Sequence, residues 1–214
     1  MKELTTSIKL LKSRGLNKLA RSVQTLAYRN PLANHPKFTN NQEIDCLFIL
    51  NTLGVDSFFY SLKATQQPSA NVSHFLCVAI ADDVRPLATE SSVISVLDTA
   101  KRLANNGGRN IRPTEFENDL VFHAKEIAYK AAYHSKQSVE SQWNLSSAIA
   151  CLAVYCVSFD IVGVASTAAE CFALSNMGPQ NGALDFKLLN ELRARYKKSV
   201  LPCIIERAIA IKNI

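Results

Sequence analysis

Glycine and proline are scarce in this chain, with only 7 of each in 214 residues. A β-sandwich or a multi-bladed fold needs a turn signal roughly every 8 to 12 residues, and so few turn-formers do not supply it. The 6 cysteines contain no C-x-x-C pair. Gly107-Gly108 is not followed by the Lys and Ser or Thr of a phosphate loop, and G-x-S-x-G, H-E-x-x-H and an EF-hand loop do not occur either. The sequence therefore gives no ground to expect a metal or a cofactor. An apolar leader is not expected, because Lys9, Lys12, Arg14, Lys18 and Arg21 interrupt the stretch where one would lie. The longest uncharged run, 141–159, opens with Gln142, Asn144, Ser146 and Ser147 and is closed by Asp160. Its apolar part is shorter than a bilayer requires, so a core helix is expected there.

What is present is periodicity. Hydrophobic residues make up 48% of the chain and charged ones 20%, enough to build a core, and they recur at helical spacing. Leu16, Leu19, Val23 and Leu26 mark a first helix that ends before Pro31, and 30–41 reads as a loop. Thr39 and Gln42 form a candidate capping box before the apolar run 44–53, which Gly54 stops. Asp56 is expected to cap a helix over 57–65, Asn71 the next one up to Pro86, and Ser91 or Ser92 another that ends before Gly107. Thr114 and Glu117 form a second capping box, opening a helix to about 138. Helices over 145–157 and 160–174 follow, or one helix bent near Asp160 or Gly163, and Asp185 caps a basic helix to 199 before a last one over 201–212.

The expected fold class is all-α: a compact bundle of eight to ten helices or a set of stacked helical hairpins. Three segments are expected: a basic helical segment 1–30, a helical core domain 40–175, and basic helices 183–214 packed on that core. Within the core, small residues at packing positions (Ala124, Ala128, Ala148, Ala153, Ala165, Ala168, Ala173) predict helix axes at the short end of the roughly 8–10 Å range, and no large cavity between them.

Charge is unevenly distributed. The formal net charge of +6 splits into seven basic to one acidic residue over 1–29, ten to fourteen over 30–179, and seven to three over 180–214. The middle is acidic and both ends are basic, which suits an acidic partner at the ends or ends laid across the body. Cys46, Cys77, Cys151, Cys156, Cys171 and Cys203 sit mostly among apolar neighbours and read as reduced, buried thiols, which points to a cytoplasmic protein.

Two groups stand out as binding candidates. Lys12, Arg14, Lys18 and Arg21 surround the leucine stripe of the first helix and could meet nucleic acid, a membrane surface or a partner groove. Asp82, Asp83 and Arg85 close a helix before Pro86, with the two carboxylates set against its dipole, which suits an ion-pair cluster with a neighbouring helix, a recognition site for a basic partner or a catalytic pair. His123 and His134 are too far apart on one helix to share a metal, and His35 and His74 have no ligand-type companions. Tyr129, Tyr133 and Trp143 are packing residues or an aromatic anchor for a partner. No general acid and base converge by sequence, so the protein is expected not to be an enzyme.

The segments 53–64, Phe75-Leu76-Cys77-Val78-Ala79-Ile80-Ala81 to Val84-Arg85-Pro86-Leu87, and Val96-Leu97-Asp98-Thr99-Ala100-Lys101-Arg102-Leu103-Ala104-Asn105 resemble a group of alanine-rich helical bacterial and phage proteins. Many of that group are related to an immunity-protein family of polymorphic toxin systems. The likeness is close over 53–106 and loose to 174, and the later helices here carry Ser, Cys and Val in place of the family's alanine runs. It implies a cytosolic protein that neutralises a toxin by occluding its active surface, with Asp82, Asp83, Glu115, Glu117 and Asp119 facing a basic toxin. The alternative function is an accessory protein binding nucleic acid or another acidic partner through the basic ends.

Overall fold

In the computed structural model the described residues are 4–29, 40–65, 69–105, 115–137, 144–177 and 184–212. The fold is all-α, with 10 continuous helices among the described residues when 186–212 is counted as one. By internal contacts the chain forms two units, Met1–Ser69 with Ile209–Ile214, and Ala70–Ala208. The division drawn from composition runs elsewhere, at about 30 and 175.

The first unit begins with a feature that periodicity did not announce. β1 (Thr5–Thr6) pairs antiparallel with β2 (Ile44–Asp45), Thr5 opposite Asp45 and Thr6 opposite Ile44. The buried Thr6 hydroxyl donates to the Ala64 carbonyl at 2.7 Å. Ser7 caps α1 (Ile8–Ser13) by accepting from the Leu10 amide. The chain then turns through Gly15 at φ 74 into α2 (Asn17–Arg29). The basic N-terminal stretch is thus a helical hairpin and not one helix, because the left-handed backbone that glycine adopts readily breaks it at 14–16. Ile8, Leu11, Leu19, Ala20 and Val23 bury its inner side against Ile44, Ile49 and Ala64.

α3 (Cys46–Leu53) starts later than the Thr39–Gln42 box predicted. Asp45 caps it, its carboxylate accepting from the Leu47 amide, because Ile44 and Asp45 are held in the strand pair; Thr39 lies outside the described residues. Gly54, at φ 83, ends α3 as expected and directly starts α4 (Val55–Leu62). Asp56 therefore lies in the first turn of α4 and does not cap it.

The second unit holds α5 (Ser69–Val84), a 3₁₀ turn Arg85–Leu87 containing Pro86, α6 (Ser91–Asn105), α7 (Glu115–Gln137), α8 (Leu145–Val157), α9 (Ile161–Met177) and α10 (Phe186–Arg195). Asn71 falls inside α5, two residues past its start, and not at its cap; Thr114 lies outside the described residues. α8 packs on α6, α7 and α9, and α9 on α10. Ala148, Ala150 and Ala153 of α8 and Ala165, Ala168, Ala169 and Ala173 of α9 are all buried, as close-packed helices require. Gly163 belongs to the same contact: a Cβ there would lie 2.5 Å from Cδ1 of Tyr155.

α8 and α9 are two helices. Phe159, at φ 54, ends α8 with its amide bonded to the Cys156 carbonyl and the Asp160 amide bonded to the Tyr155 carbonyl, the bond pattern of a Schellman stop. A residue other than glycine in that conformation carries strain, and Phe159 gains in return a stack on His74, ring centroids 3.5 Å apart.

α10 runs through a π-helical turn, Tyr196–Val200, into α11 (Leu201–Lys212). Continuing the spacing Leu189 to Tyr196 as an unbroken α-helix would turn Cys203 and Arg207 inward. The wide turn shifts the phase by one residue, so Leu201, Ile204, Ile205 and Ala208 are buried while Cys203 and Arg207 are exposed. The break expected near residue 200 is this phase shift.

Candidate binding surfaces

The hairpin gathers the four basic residues singled out in the sequence, together with a fifth. Lys9 and Lys12 lie on α1, Arg14 in the turn, and Lys18 and Arg21 on α2, and all five are exposed. Among the described residues none of the five side chains forms an ion pair or a hydrogen bond. On α2 the exposed positions 18, 21, 22 and 25 follow the i, i+3, i+4, i+7 pattern, so Lys18, Arg21, Ser22 and Thr25 form one stripe. Lys18 stands in the first turn of α2, which carries no acidic residue. A cation there opposes the helix dipole, so helix stability does not account for it.

The acidic candidates are arranged differently. Asp82 pairs with Lys101 of α6 at 2.8 Å, and Arg85 pairs with Asp98 of the same helix. Asp83 accepts a hydrogen bond from the Tyr196 hydroxyl at 3.3 Å. The structure thus joins α5, α6 and the π turn through these groups, which is the ion-pair arrangement that sequence allowed for. Asp119 is exposed on α7, and the side chains of Glu115 and Glu117 lie outside the described residues. The positions therefore do not assemble into a free acidic face among the described residues.

Beside α9 and α10 lies an open groove of about 350 Å³, lined by Ser166, Glu170, Phe186, Leu189 and Arg193 among others. Glu170 is only 8% exposed and pairs with Arg193; Phe186, 68% exposed, is the large apolar side chain at its edge. Sequence reasoning passed over this pair. The only available signal was an acid within the alanine-rich face of α9.

The thiols are mostly interior. Cys46, Cys77, Cys156 and Cys171 are buried, Cys151 is half-buried and Cys203 exposed, and all six are free. Burial pushes the Cys46 thiol up to about 11 and those of Cys156 and Cys171 up to about 12. A thiol so far from ionisation is a packing group and not a nucleophile. Among the described residues no three His, Cys, Asp or Glu side chains are grouped to hold a metal ion, and no helix is long and apolar enough to cross a membrane. His123 is exposed; Trp143, His35 and the side chains of His134, Tyr129 and Tyr133 lie outside the described residues.

His74 titrates against the fold. Its Nδ1 is buried without a hydrogen-bond partner, and desolvation by burial lowers its pKa below 6.5. The unfolded chain then binds a proton more readily than the folded one, so stability is full above pH 6.5 and falls as pH drops below that value towards the folded pKa. Unfolding in urea at pH 7.5 and 5.5 should show a lower midpoint at the acidic pH, and His74→Phe should reduce the difference. An unchanged difference in that variant would assign the pH dependence to other groups.

No family model, curated protein or solved structure matches this chain.

Proposed function

We propose that this is a non-enzymatic helical binding protein that engages a polyanionic partner through the outer face of the α1–α2 hairpin. The observation that carries the reading is the state of the five cations Lys9, Lys12, Arg14, Lys18 and Arg21: carried by one helical hairpin, exposed, and unpaired among the described residues. Like charges held together without counter-charges repel one another, and an anionic partner relieves that repulsion while gaining the field they sum to. Neutralisation of a basic toxin, which the immunity-family resemblance implies, has less to work with at Asp82 and Asp83, since both already accept bonds from within the protein.

The test is binding of the full chain to a fluorescent heparin oligosaccharide, a dense polyanion without bases or lipid, followed by anisotropy. The wild-type protein should bind at low salt, and the variant Lys12→Gln, Arg14→Gln, Lys18→Gln, Arg21→Gln should bind at least tenfold more weakly with an unchanged helical circular-dichroism spectrum. Equal binding by this variant would refute the reading.

A further inference from the structure

Resting on that reading, we infer that the partner of the hairpin is the phosphate backbone of double-stranded nucleic acid, met without regard to sequence. The residue types on the hairpin select among polyanions. Protein contacts to duplex backbones are made by Lys and Arg with the hydroxyls of Ser and Thr, and this hairpin offers Lys18, Arg21 and Ser22 in one stripe of α2, with Lys9, Lys12 and Arg14 exposed on α1 and the turn; the Ser13 and Thr25 hydroxyls already donate to the carbonyls of Leu10 and of Arg21 and Ser22. The stripe of free donors, from position 18 to 22, is about 6 Å long at 1.5 Å per residue. A duplex carries one charge per about 1.7 Å of axis, so the stripe spans several phosphates.

The alternatives require groups that the described side chains of this face do not present. A helix that lies in a bilayer surface inserts its apolar side, yet Ile8, Leu11, Leu19, Ala20 and Val23 are already buried in the core of their own unit. Single strands are held by aromatic platforms, and the centre of a protein interface is built on aromatic or apolar anchors. Among the described side chains of α1 and α2, no aromatic and no large apolar residue is exposed.

The experiment measures the full-length protein against a fluorescent 20-base-pair DNA duplex from 50 to 200 mM salt, with duplexes of two unrelated sequences, phosphatidylserine vesicles and polyglutamate as further arms. Each neutralised phosphate contributes about −0.9 to the slope of log K against log salt. Five cations set a limit near −4.5, and a slope of about −3 to −4.5 corresponds to a loss of affinity on the order of a hundredfold across that range. The two sequences should bind within about threefold of each other. Lys18→Gln with Arg21→Gln should lower the slope by about 2, whereas Arg195→Gln with Lys198→Gln, on the other basic segment, should leave it unchanged. Binding to heparin, vesicles or polyglutamate without binding to duplex overturns this inference and leaves the polyanion reading standing. Binding to none of them overturns both. A duplex slope near zero, or one that moves with Arg195 and Lys198 and not with Lys18 and Arg21, also overturns the inference.

Discussion

Tyr196→Ala is expected to destabilise the protein by about 3–5 kcal/mol, against about 1 kcal/mol for Tyr196→Phe. Tyr196 is the largest of the fully buried side chains among the described residues, at 0% exposure. Its ring lies 5.1 Å from that of Phe172 on α9; the α10 spacing from Leu189 points it inward, and the π turn that starts at it sets which residues of α11 follow it into the core. Alanine leaves a cavity among helices already drawn close by small residues, and a close-packed site collapses poorly around a void. Phenylalanine keeps the ring and loses only the hydroxyl bonded to Asp83. The bond is 3.3 Å long and Asp83 is exposed, so water replaces much of it at the carboxylate and the loss stays near the small end. Burial first, and the Asp83 carboxylate second, push the Tyr196 phenol well above 10, so it remains a neutral donor at ordinary pH. Urea denaturation at constant m-value measures both variants. A cost below about 1 kcal/mol for Tyr196→Ala would mean that the π turn is not a core element of the second unit.

Much of this fold was legible because its signals are local. α8 falls at 145–157 as its pattern predicted, with Asn144 as the cap, accepting from the Ser147 amide. Asp185 caps α10, accepting from the amides of Lys187 and Leu188, and Gly54 ends α3. Each is a residue whose own chemistry marks a boundary within one turn of helix. What escaped is non-local. β1 and β2 are two residues each and lie about 40 positions apart, too short to show alternation, and their pairing is what moved the start of α3. The π turn escaped for a related reason: the phase slip between Tyr196 and Leu201 is set by which side chains the surrounding helices bury, and residues 196–200 carry no breaker.

The binding candidates divide along the same line. The cations of the hairpin were legible, since long basic side chains in a helical pattern with its apolar positions accounted for have only solvent to face. Their separation into two helices is not, because the stripe Leu16, Leu19, Val23 and Leu26 marks only the second of the two and six residues of α1 are too few to show a period of their own. Asp82 and Asp83 were legible as unusual at a helix end, but their partners Lys101 and Tyr196 lie 19 and 113 residues away, and no local rule chooses between an internal pair and an external one.

Arg193→Ala is expected to cost about 2 kcal/mol, and pairing it with Glu170→Gln is expected to recover part of that loss. Removing one partner of a buried pair costs about 3–5 kcal/mol, because the remaining charge is left without a counter-charge. Glu170 is 8% exposed as a residue, but the Arg193 side chain is 36% exposed and the groove beside it is open to solvent. Water reaches the carboxylate once the guanidinium is gone, which reduces the cost. Glutamine in place of Glu170 removes the orphaned charge and keeps the volume, so the double variant should unfold at a higher urea concentration than Arg193→Ala alone. This ordering separates a charge effect from a packing effect: if the long alkyl stem of Arg193 supplies the stability by covering Leu189, the double variant will be no more stable than the single one. Arg193 is the last cation but one of α10 before the π turn. Freeing it from Glu170 therefore loosens the stretch that holds Tyr196, and the effects of Arg193→Ala and Tyr196→Phe should fall short of or exceed additivity by more than about 0.5 kcal/mol. Strict additivity would show that the Arg193–Glu170 pair and the hydroxyl of Tyr196 act independently.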